Sequence, residues 1–154
     1  MFKKILLASI LFSGPAMADS VSFDTGKGEF KITSEMYNQT YNIGNEKIGQ
    51  TEYLAVEAKR LKSDAGTTVV AITGSVGGSG CAEVVSIATI LEKGIVFSPI
   101  LNACGGVKDI YVDNGAVIVQ ALDKDEATPI KYKVKGDWAS ENDGPLTSDY
   151  KFIE

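Results

Sequence analysis

Lys108-Asp109-Ile110-Tyr111-Val112-Asp113-Asn114-Gly115-Ala116-Val117-Ile118-Val119-Gln120-Ala121-Leu122 decides the fold. Asn114-Gly115 separates two strand-like runs, Lys108 to Asp113 and Ala116 to Leu122. A type I′ turn needs positive φ at both central positions, and Asn-Gly tolerates that best, so the stretch predicts a β-hairpin. Upstream, Thr68 to Thr73 is rich in β-branched residues, and Val84 to Leu91 is apolar on both faces. The second pattern belongs to a central strand covered on both sides. Glu92-Lys93-Gly94 turns the chain into Ile95-Val96-Phe97. Pro99 ends that strand, because proline donates no ladder hydrogen bond. Downstream, Ile130, Tyr132 and Val134 alternate with Lys131, Lys133 and Lys135. One face of that strand is core and the other a lysine row, as in a half-exposed or edge strand. An anion-binding strip is the functional alternative for the row.

The first third of the sequence carries weaker signals. Phe30 to Thr33 reads as a strand and Ile43 to Lys47 as a turn. Residues 51–62 fit two patterns. Leu54, Ala58 and Leu61 recur at helical spacing, whereas Leu54, Val56 and Ala58 alternate as in a strand. The strand reading is preferred because a β meander follows. The expected fold is mainly β: a single-domain antiparallel β-sandwich or small barrel, with room for one short helix.

Met1-Phe2-Lys3-Lys4 is a basic start, Ile5 to Phe12 an apolar run, and Ala16-Met17-Ala18 a small-residue site. This pattern predicts a signal peptide over 1–18, cleaved before Asp19, and one β-rich domain over 19–154. A periplasmic or secreted protein follows. The apolar run is too short to span a bilayer, so no membrane insertion is expected. The whole chain has 15 basic and 20 acidic residues, a net charge of −5. Without Lys3 and Lys4, 13 bases face 20 acids, a net of −7. Such a protein repels phosphate backbones and attracts a basic protein partner; no nucleic acid is expected. Histidine is absent. That removes the commonest general base and zinc ligand, and the expectation is a non-enzymatic protein with no catalytic residues, metal or cofactor.

Two cysteines, Cys81 and Cys104, predict one structural disulfide in an oxidising compartment. Closing a loop of that length contributes about 3 kcal/mol in the chain-entropy picture. Gly74 to Gly80 is glycine-rich, but it ends in Gly80-Cys81 rather than the Gly-Lys-Ser/Thr of a phosphate loop. Gly105-Gly106 after Cys104 suggests a tight, exposed corner. Together, Gly78, Ser79, Gly80, Asn102, Gly105 and Gly106 form the expected binding rim, because a cross-linked loop costs little entropy to order. Asp123 to Glu126 has the alternating carboxylates of a calcium loop without its glycine, and reads as a solvated hairpin tip. Ser148-Asp149-Tyr150-Lys151 matches Ser-x-x-Lys by chance, without companion motifs. Trp138 is expected to pack at the core or rim, with an exposed anchor as the alternative.

Gly78-Ser79-Gly80-Cys81, Phe97-Ser98-Pro99 and Asn102-Ala103-Cys104 before an Asn-Gly hairpin resemble small exported bacterial proteins built on a disulfide-tied β meander, whose function is unsettled. The plan is also similar to that of periplasmic lysozyme inhibitors. Their Ser-Gly-x-x-Tyr motif meets Ser79-Gly80 here, followed by Cys81-Ala82-Glu83, with no tyrosine. The resemblance implies an inhibitor or immunity factor against a basic or cell-wall-attacking protein. A structural subunit of an envelope assembly and a small-ligand carrier are the alternatives. The sequence leaves the oligomeric state open.

Overall fold

The computed structural model describes residues 20–64, 66–78, 80–135, 138–146 and 151–153. Among them every regular element is a strand. The first sheet is a meander of β1 (Ser20–Thr25), β2 (Gly28–Glu35), β3 (Asn38–Ile43) and β4 (Glu46–Glu52). The second contains β5 (Ala55–Asp64), β6 (Thr67–Ser75), β7 (Glu83–Leu91), β8 (Gly94–Phe97) and β9 (Leu101–Ala103). The third is built from β10 (Val107–Asp113), β11 (Ala116–Leu122), β12 (Pro129–Lys135), β13 (Trp138–Glu141) and β14 (Gly144–Pro145). β15 (Lys151–Ile153) returns to pair with β8 at the edge of the second sheet. All pairings are antiparallel, and the sheets stay open rather than closing into a barrel.

The second sheet is the middle layer of three. Val69, Ala71, Val85, Ile87 and Leu101 pack against Ile110, Val117, Val119, Tyr132 and Val134 of the third sheet. From its other face, Val70, Ile72, Ala88, Ile90 and Ile95 pack against Phe30, Ile32, Tyr41, Ile43 and Ile48 of the first. This double cover is what the apolar run of β7 requires. Each fully buried aliphatic side chain contributes roughly 1.5–3 kcal/mol relative to exposure.

Local chemistry sets the connections. Asn114 and Gly115 have φ of 48° and 75°, as a type I′ turn demands. Pro99 does end β8, yet β9 resumes along the same side of β7. The interruption is stitched by Ser98. Its hydroxyl accepts from the Ile87 amide at 2.9 Å and donates to the Pro99 carbonyl at 2.8 Å.

Residues 51–62 take the preferred strand reading rather than the helical one: they are the end of β4 and most of β5. Of the two readings of the lysine-row strand, β12 is the half-exposed one and not an edge, because β11 and β13 flank it. Its Lys131, Lys133 and Lys135 are exposed on the outer face, while Tyr132 and Val134 are buried beneath. Residues 20–52, read as one strand and a turn, form a four-stranded sheet. Trp138 lies half-exposed on β13, in register with Lys135.

Candidate functional site

The disulfide lies at one end of the middle sheet. β7 and β9 are paired through Glu83 and Ala103, and the Ala82 amide donates to the Cys104 carbonyl at 3.3 Å. Cys81 and Cys104 sit just beyond that ladder, one residue out of its register, with their Cα atoms 4.0 Å apart. The bridge is consistent with an oxidising, exported location.

The predicted rim residues divide around it. Gly78, Gly80 and Asn102 are exposed at this end, and Ser79 lies outside the described residues. Gly105 and Gly106 are half-buried rather than an exposed corner. The Gly105 amide donates to the Leu122 carbonyl at 2.9 Å, and the Leu122 amide returns to the Gly106 carbonyl at 3.0 Å. A Cβ on Gly105 would collide with the Asp123 carbonyl and Leu122. Its missing side chain serves close packing of the middle sheet on the third, not exposure.

A cleft of about 350 Å³ opens between β5 and β10, lined by Glu57, Lys59, Thr73, Glu83 and Lys108 among others. Its charged groups hold the layers together. Glu83 Oε2 accepts from the Val107 amide at 2.7 Å, and Lys59 Nζ points at the Ile110 carbonyl at 3.5 Å. Asp109 Oδ1 accepts from the Ile110 amide at 2.8 Å. Side chains thus occupy backbone groups of β10, an edge strand, which blunts strand addition there.

Asp125, in the turn read as a hairpin tip, accepts from the amides of Ala127 at 2.9 Å and Thr128 at 2.7 Å, and from the Thr128 hydroxyl. Its hydrogen bonds with Thr128 hold its carboxyl below the usual range. The carboxylate closes its own turn.

The middle sheet overhangs its cover at the disulfide end. The cover stops at Tyr53, whose ring lies over Gly74 so closely that a Cβ there would collide with it. Tyr53 is held by Gln39, a buried amide that accepts from the Tyr53 amide at 2.8 Å and donates to its carbonyl at 3.0 Å. Thr51 donates to Gln39 at 3.2 Å and shares a 2.6 Å hydrogen bond with the Tyr41 hydroxyl. Burial pushes Tyr41 up to about 12 and raises Tyr53 as well, against opposing hydrogen bonds from Thr51 and Ser86.

Beyond Tyr53, Leu54 and Val76 are exposed. Leu54 donates its amide to the Ser75 carbonyl at 2.7 Å, next to Val76, and its side chain lies against Gly77. Tyr37, at the β2–β3 turn, accepts from the Tyr53 amide at 3.0 Å. Seven large hydrophobic residues are exposed among those described. Five of them, Met36, Tyr37, Leu54, Val76 and Ile100, belong to segments meeting at this end. Glu35 and Glu52 are exposed beside them, both in register with Asn38. Sequence reasoning reached the stapled loops but missed Met36, Tyr37, Leu54 and Ile100. A methionine between two short polar strands was the available signal.

The chain matches no known protein family, no curated protein and no solved structure.

Proposed function

We propose that this chain is a non-enzymatic periplasmic binding protein, an inhibitor or immunity factor that neutralises a basic, cell-wall-attacking protein through its disulfide end. The basic start, apolar run and Ala16-Met17-Ala18 site support export with cleavage before Asp19. The observation that carries the reading is the exposure of Leu54, Val76 and Ile100 on the segments that lead to the Cys81–Cys104 end of the middle sheet, with Glu52 exposed two residues from Leu54. Large apolar side chains exposed together at one end of a domain mark a docking site. Carboxylates at its border, on a chain of net charge −5, favour a basic partner and speed its approach. The side chains capping β10 weigh against an envelope subunit that docks by strand addition at that edge.

The test uses residues 19–154, oxidised and immobilised, against purified basic cell-wall hydrolases, lysozymes among them. The expected result is saturable binding that weakens as salt rises, with loss of hydrolase activity. Leu54→Asp should weaken binding by about tenfold or more, as for a central interface residue. No binding across the panel, or binding indifferent to both salt and Leu54→Asp, overturns the proposal.

A further inference from the structure

The β2–β3 hairpin closes with only Met36 and Tyr37 between the paired residues Glu35 and Asn38. Met36 holds φ at 55°, in the left-handed region. Glycine or asparagine suits such a position, because a Cβ crowds the backbone there. Met36 is nonetheless a long apolar side chain, 87 % exposed, and Tyr37 beside it is 58 % exposed. Neither side chain adds to the folded core, and the backbone is strained to display one of them. Strain held at a display position points to function. Methionine suits such a role because its flexible thioether adapts to irregular pockets.

The tip is also anchored. The Tyr37 carbonyl accepts from the Tyr53 amide at 3.0 Å, which ties the hairpin to the Tyr53–Leu54 segment and the buried Gln39. Glu35 and Glu52 stand at its base. We propose that Met36–Tyr37 is a preorganised finger that inserts into a concave apolar pocket of the partner, with basic groups around the pocket mouth meeting Glu35 and Glu52. This rests on the reading above and deepens it. It makes the partner a protein with a cleft rather than one with a flat face.

The experiment compares Met36→Gly, Met36→Asn, Met36→Leu and Ile100→Asp. Each is measured for thermal midpoint and for affinity to whichever basic hydrolase of the panel the unaltered protein binds. Glycine and asparagine relieve the backbone, so their midpoints should hold or rise while affinity falls by about tenfold or more. Met36→Leu should keep affinity within about threefold, because it preserves apolar volume. If Met36→Gly binds normally while Ile100→Asp does not, the finger is wrong and the docking end stands. If no variant changes affinity, or the unaltered protein binds no member of the panel, both fall. Sedimentation of the protein alone supplies the last arm. A self-association that Met36→Gly abolishes would give the tip to a second copy and overturn the basic partner.

Discussion

Single side chains set how this fold responds to pH. Tyr132 is buried, its hydroxyl donates to the Asn102 carbonyl at 2.8 Å, and burial together with the Glu141 charge raises its pKa. Tyr41 and Tyr53 are raised for the same first reason, burial. A tyrosine whose folded pKa exceeds its unfolded value of about 10 contributes stability that is complete below pH 10. That contribution is lost as pH climbs from about 10 through the folded value. No histidine titrates in the neutral range. Thermal melts should therefore give a flat midpoint between about pH 6 and 9 and a steep fall above about pH 10. Tyr132→Phe should cost about 1 kcal/mol near pH 7, from the lost hydrogen bond, and make the alkaline fall shallower. A midpoint that drifts through neutrality, or a Phe variant with an unchanged alkaline limb, would contradict this account. The tyrosines were visible in the sequence, but their burial was not. Gly105 carries the same lesson. Its place after a cysteine suggested an exposed corner, and only the carbonyl of Asp123 packed against it gives the reason for glycine.

At the scale of the element, strand pattern and strand geometry part company at bulges and tight turns. Leu61 sits where the β5–β6 register shifts, between Arg60 and Lys62. Ala58 and Leu61, three residues apart on one strand, face opposite sides, so Ala58 packs with the first sheet and Leu61 with the third. The spacing of Leu54, Ala58 and Leu61 imitates a helix because a strand covered on both faces carries apolar residues at odd as well as even intervals. The first sheet escaped notice because each strand has few core residues, such as Phe30 and Ile32 in β2 or Tyr41 and Ile43 in β3. Its β2–β3 turn, Met36-Tyr37, also lacks a glycine signal. The long, apolar β7 and the Asn114-Gly115 hairpin were legible because each carries its cause locally. The end of β6 supplies the test at this scale. Gly74 leaves room for the Tyr53 ring, which closes the core where the first sheet ends. Gly74→Ala should displace that ring and destabilise the protein by about 1–3 kcal/mol, read as a lower denaturant midpoint with an unchanged slope. An unchanged midpoint would mean that the ring has space to move and does not seal the sheet.

Over the whole molecule, two cores share one sheet. Neighbouring residues of β6, Val69 and Val70, point into opposite cores, so neither core can open without exposing the middle layer. Ile72→Ala on one side and Val119→Ala on the other should each lower the same single calorimetric transition, by about 2–4 kcal/mol for the isoleucine. Two separable transitions, each sensitive to one substitution, would show that the layers unfold independently. The sequence by itself determined the mainly β class, the doubly covered middle strand, the Asn-Gly hairpin, the pairing of two cysteines, the acidic charge and the lack of histidine. All of these rest on local pattern or composition. The tertiary structure decided the three-layer stack, the interior place of β12, the half-burial of Gly105 and Gly106, and the exposure of Met36, Tyr37, Leu54 and Ile100. Alternation along a strand says which residues share a face. What covers that face comes from strands distant in sequence, and the cover here ends at Tyr53, with Leu54 and Val76 exposed just past it.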